Sequence, residues 1–119
     1  KKMMEFFKKK SQFFMLPKED PKTSTAWINF PITLSEKCPF SREDLVFYLE
    51  ENDIQTRPLF SGNITRHPAF RELVGGPTPF KNADYVMKNS FLIGCHQSLT
   101  QKHFDYVFGK FDEFLKEHT

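Results

Sequence analysis

Residues 41–59, SREDLVFYLEENDIQTRPL, put a helix and a strand end to end. Ser41 and Asp44 stand three apart in a capping-box-like arrangement, where side-chain oxygens take the free N–H groups of a first turn. Leu45, Val46 and Leu49 then fall on one helical stripe, and Asn52-Asp53 ends it. Ile54 to Leu59 reads as a strand that breaks at Pro58. Upstream, Ala26 to Leu34 is a second strand, rich in aromatic and β-branched residues. Its alternation assigns Ile28, Phe30, Ile32 and Leu34 to the core face, and Pro31, lacking a donor, marks an edge or a bulge. Strand, helix and strand in that order imply a right-handed crossover if the two strands are parallel.

Further out, Ser90 to Cys95 supplies a third strand. Thr100 caps the last helix, where Phe104, Val107, Phe108, Phe111 and Leu115 keep helical spacing. Asn82 to Asn89 is a short helix with Ala83, Val86 and Met87 inward, Pro68 to Leu73 is a helical turn, and residues 74–79 read as a flexible Gly/Pro loop. At the start, Met3, Phe7 and Phe14 share a helical face among lysines, a stripe that fits a neighbouring domain or, alternatively, an anionic membrane surface. Pro17 and Pro21 stop that helix. The expected fold is α+β: a small three-stranded sheet packed with helices in two layers.

The 119 residues are sized for one domain with one modest core, and fifteen Phe suggest that rings fill it. A net charge of +2 is too small for the concentrated basic face that nucleic acid requires. No apolar run is long enough to span a bilayer, and the opening residues lack a signal-peptide pattern. The chain opens in mid-helix on lysines without an initiator Met, and so reads as a piece of something longer. Cys38 and Cys95 have no metal-ligand spacing and read as reduced thiols of a cytoplasmic protein, with a disulfide still open.

No self-contained active site is visible. Cys95 and His96 are adjacent and therefore point to opposite faces of a strand, and Gly75-Gly76 runs into Pro77 rather than into a phosphate-binding helix. The chemistry-rich stretch is the loop after the second strand, LFSGNITRHPAF over 59–70. Together with Arg57 it gathers guanidinium groups, an amide and hydroxyls beside a glycine, a set suited to an anionic, polyhydroxylated ligand. A solvated polar loop is the plain alternative.

These segments, in order, resemble a known family. AWINFPITL (26–34), PFSREDLVFYLEENDIQTR (39–57), LFSGNITRHPAF (59–70), NADYVM (82–87) and GCHQSLT (94–100) are similar to the C-terminal small domain of the DegT/DnrJ/EryC1/StrS sugar aminotransferase-like enzymes. The 59–70 loop most resembles the branch that acts as NDP-4-keto-6-deoxyhexose 3-dehydratases in lipopolysaccharide deoxysugar synthesis. The resemblance implies the small domain of a fold-type I enzyme, in which residues 1–16 lead from a large domain absent from this chain and residues 17–119 form the C-terminal domain. It also implies pyridoxal phosphate, bound mainly by that large domain, a nucleotide-linked 4-keto-6-deoxy sugar as substrate, and a homodimeric parent. The basic first helix then becomes a connector rather than a membrane element. No catalytic residue has a counterpart here, and Cys38 and Cys95 do not match the iron–sulfur motif of the CDP-sugar branch. The positions facing the sugar would be Arg57 and Asn63 for polar contacts, Arg66 near anionic groups, and Ser61 and His96. A sugar aminotransferase fragment and a non-catalytic binding module are the alternatives.

Overall fold

The computed structural model describes residues 1–73 and 80–119. The elements are α1 (Lys2–Lys8), β1 (Phe14–Met15), β2 (Asn29–Leu34), α2 (Arg42–Glu51), β3 (Thr56–Pro58), a 3-10 turn (Ile64–Arg66), α3 (Pro68–Arg71), α4 (Lys81–Asn89), β4 (Ser90–Gly94) and α5 (Gln101–His118). Among the described residues the sheet has four strands in the order β1-β2-β4-β3, and every neighbouring pair is antiparallel. β2 and β3 are therefore parallel to one another, with β4 inserted between them. The architecture is the α+β sandwich expected, with one more strand. Two residues of β1 are too few to carry a period.

One sheet face holds the core. Phe14, Phe30, Ile32, Leu34, Phe91 and Ile93 are buried against Met3 and Phe7 of α1, Leu45 and Leu49 of α2, and Phe111, Phe114 and Leu115 of α5. Phe7 lies at the centre, its ring centroid 5.3 Å from Phe14, 5.5 Å from Phe30 and 5.0 Å from Phe111. Phe6 stacks on Phe108 at 4.1 Å, and Lys10 adds an ion pair to Asp112 at 2.8 Å while lying over the Phe6 ring. The first helix thus turns its stripe into this chain's own core, which corrects the expectation of a stripe facing a neighbouring domain. It also stops at Lys8, and Phe14 reaches the core from a strand.

The capped helices form where local chemistry places them. Ser41 Oγ accepts from Asp44 N–H at 3.1 Å while Ser41 N–H donates to Asp44 Oδ2, closing the capping box. After α2, Asp53 adopts φ 58°, and Ile54 N–H returns to Leu49 O at 2.9 Å, turning the chain toward β3. At α5, Thr100 N–H donates to His103 Nδ1 at 3.0 Å, so His103 serves as the reciprocal cap.

Other expectations are corrected. Ile28, expected on the core face, is 75% exposed and precedes the strand, which begins at Asn29. The strand expected over Ala26–Leu34 begins only at Asn29, and the one expected over Ile54–Leu59 shrinks to three residues. Met87, expected inward, is exposed, and Phe114 joins the core beside Leu115. The Gly/Pro loop expected at 74–79 lies outside the described residues. Among the described residues no helix is long and apolar enough to cross a membrane.

Hydrogen-bond phase explains both strand prolines. Cys95 N–H donates to Ile28 O, so along β2 residues 28, 30 and 32 bond to β4 and Pro31 faces away from it. The same alternation turns β4 residue Leu92 toward Arg57 of β3 and turns Thr56 and Pro58 outward. Thr56 N–H does point away from β4, since it donates to Glu50 Oε1 at 2.5 Å.

Candidate functional site

β3 delivers the chain into the loop over 59–67 through a strained corner. Phe60 N–H bonds to Pro58 O at 2.9 Å and Gly62 N–H to Leu59 O at 3.3 Å, with Phe60 at φ 50° and Gly62 at φ 60°. A Cβ at Gly62 would lie 2.4 Å from Met87 Cβ, so only glycine lets the loop rest this close on α4. That close approach is the job of the exposed Met87.

Asn63 follows and is buried, at 2% exposure. Its Oδ1 accepts from Thr65 N–H at 3.1 Å and from Thr65 Oγ1 at 2.7 Å, capping the 3-10 turn. Its Nδ2 donates to Asp84 Oδ1 on α4 at 2.8 Å. Arg66 forks onto the same carboxylate, Nε to Oδ1 at 2.8 Å and Nη2 to Oδ2 at 2.6 Å. Arg66 first, and then Asn63, hold the Asp84 carboxyl down at about 2, while Asp84 pushes the Arg66 guanidinium up. His67 Nε2 bonds to Ser61 O at 2.8 Å, and Arg42 reaches across to Met87 O at 3.1 Å as well as to Glu43. The result is a shallow cavity of about 400 Å³ lined in part by Arg42, Phe60, Ser61, Arg66 and His67.

The expected residues divide into three groups. Ser61, Asn63 and Arg66 share this loop, but Asn63 and Arg66 direct their polar atoms inward to Thr65 and Asp84. Arg57 is exposed on β3 and makes no side-chain hydrogen bond or ion pair among the described residues. His96 stands apart. The loop leaves β3 opposite Phe91, whereas His96 follows the other end of β4, roughly 16 Å along the strand. There its Nδ1 accepts from Ser98 N–H at 3.3 Å, shaping a turn. Cys95 beside it is half-buried, and burial pushes its thiol up, as it does for Cys38. Sequence reasoning missed Asp84, whose partners lie 18 and 21 residues earlier. A larger cavity, about 1030 Å³, lies instead on the open sheet face between β1, β2 and α4, lined by Met15, Pro31 and Tyr85 among others, and holds none of the expected site residues.

The DegT/DnrJ/EryC1/StrS aminotransferase family matches residues 3–112. The chain belongs to that family. Within it, the lipopolysaccharide biosynthesis protein RfbH of Salmonella typhimurium is 42% identical over 109 residues, covering 88% of this chain and 24% of the relative. The dTDP-4-dehydro-2,6-dideoxy-D-glucose 3-dehydratase of Saccharopolyspora spinosa is 38% identical over 102 residues, covering 85% of this chain and 22% of the relative. A GDP-4-keto-6-deoxy-D-mannose-3-dehydratase of E. coli, solved with bound hydrated pyridoxal phosphate, superposes with a TM-score of 0.78 at 22% identity, over 92% of this chain and 28% of that one. The fold is thus that of a segment of these family enzymes. The chain spans about a quarter of the length of the curated relatives it matches.

Proposed function

We propose that this chain is the C-terminal part of a cytoplasmic, pyridoxal-phosphate-dependent NDP-4-keto-6-deoxyhexose 3-dehydratase of deoxysugar and lipopolysaccharide O-antigen biosynthesis. The observation that carries the reading is the similarity, over most of the chain, to one relative named for lipopolysaccharide biosynthesis and another named a 3-dehydratase. The role of this part is to close one side of the nucleotide-sugar site. The parent is proposed to be a homodimer, with residues 1–16 leading in from the cofactor-binding domain.

Arg57, exposed and unpaired among the described residues, is the direct polar contact to the ligand, with Ser61 at the loop apex. Asn63 and Arg66 serve by giving the loop its shape, since their polar groups bond to Thr65 and Asp84. His96, a strand's length away, enters as a separate contact. Pyridoxal phosphate would supply the electron sink for loss of the 3-hydroxyl as water. The described residues do not form a cradle for it: Arg42 and Arg66 are paired with Glu43 and Asp84, and His67 with the Ser61 carbonyl. Its binding belongs to the rest of the protein, and no step on this chain runs through it.

The test is an assay of the full-length protein with nucleotide-linked 4-keto-6-deoxy sugars, followed by mass spectrometry. Loss of one water from the sugar, weakened by Arg57→Ala, is the expected result. Transfer of an amino group from glutamate would instead make the protein a sugar aminotransferase, and no turnover with any such sugar would overturn the reading.

A further inference from the structure

Phe60 is 87% exposed at the tip of the loop, at φ 50°, with no ring of the described residues packed on it. A non-glycine residue in the left-handed region persists only where its surroundings hold it there. Here they do: Gly62 rests on Met87, Asn63 caps the 3-10 turn, and Asp84 grips both Asn63 and Arg66. The loop commits its amide and its guanidinium to Asp84 and leaves an aromatic ring outward. That is the reverse of what burial alone would produce, because the largest apolar side chain of the loop, Phe60, is more exposed than Leu59 or Ile64 beside it. Three residues earlier on the same edge is Arg57, a cation unpaired among the described residues. An exposed π face three residues along the chain from a guanidinium that makes no ion pair among the described residues matches a planar heteroaromatic base joined to a phosphate.

We infer that Phe60 is a stacking platform for the nucleobase of the nucleotide sugar, and that Asp84 is the positioning residue that holds the loop so that the ring stands out. This deepens the proposed function and rests on it. Asp84 touches no ligand; it acts through Asn63 and Arg66 on the Phe60 corner.

The test uses the full-length protein and calorimetric binding of GDP, CDP and dTDP, with inorganic pyrophosphate as the probe without a base. Phe60→Ala is expected to weaken the preferred nucleoside diphosphate by about 5- to 100-fold, the usual worth of one base stack, and to leave pyrophosphate unchanged. Phe60→Trp should restore binding. Asp84→Asn should weaken nucleoside diphosphate binding too, and adding it to Phe60→Ala should produce little further loss, because the two act through one ring. Unchanged nucleotide affinity in Phe60→Ala, or an equal loss for pyrophosphate, would overturn the stacking role. Full additivity of the two substitutions would overturn the positioning role. If the unaltered protein binds no nucleoside diphosphate, the proposed function falls and this inference with it; failure of the variants alone leaves that function standing.

Discussion

The aromatic core and the loop over 59–67 are both well determined, by opposite means. Around Phe7 the contacts are rings at 5.0 to 5.5 Å, non-directional and tolerant of small shifts. Around Asp84 they are four groups with fixed donor and acceptor directions, Asn63, Thr65, Arg66 and the carboxylate itself. The first kind of order holds the domain together. The second kind sets the position of a few atoms and contributes less free energy, because each exchanged hydrogen bond is worth little net while each broken one is costly.

That contrast can be broken experimentally, most sharply at the core. Phe7→Ala should lower unfolding free energy by about 3–5 kcal/mol, the range for emptying a buried ring site. A loss under 1 kcal/mol in urea denaturation would show that α1 is not part of the cooperative unit. Asn63→Ala comes next, at about 1–3 kcal/mol, since it leaves the Thr65 N–H and the Asp84 carboxylate short of a partner. Faster amide exchange confined to residues 59–67 would support the division, and acceleration throughout the sheet would remove it. Gly62→Ala should cost about 1–2 kcal/mol for the left-handed backbone alone, with the Met87 contact added. Substituting Met87→Gly, which removes the Cβ and Cγ that the new methyl meets, should make Gly62→Ala cost less than it does beside Met87, and no such recovery would mean that the close approach matters less than the backbone angle.

The smallest effect is in pH. Asp84 is held down at about 2, so its contribution is fully present above the ordinary carboxylate range and fades as pH falls toward about 2. Asp84→Asn should therefore flatten the acid limb of the stability profile and leave the neutral region's slope unaltered. An unchanged acid limb would place the proton linkage elsewhere.

How much of this was legible depended on range. α2 and α5 could be read because their caps and stripes lie within a few residues, as with Ser41–Asp44 and Thr100–His103. The alternation of β2 was equally legible from Phe30 to Leu34 and misled only at Ile28, because alternation does not say where a strand begins. β1 was illegible, and so was the inward turn of α1, since a stripe names a face and not its partner. Within the site, the loop's unusual composition was plain, but its meaning was not. Asn63 and Arg66 look like ligand contacts until α4 brings a carboxylate to them from 18 and 21 residues away.

The two strand prolines have a consequence for the chain in solution. At the β3 border the outward positions are Thr56, whose N–H is occupied by Glu50, and Pro58, which has none. At the other border β1 covers β2 only at Thr33 and Leu34, and the next outward position is Pro31. A stray strand approaching either side would find few donors to zip onto, which is how natural sheets discourage runaway polymerisation. A sheet of four short strands with a heavy load of phenylalanine is thereby kept from seeding aggregates through its rims.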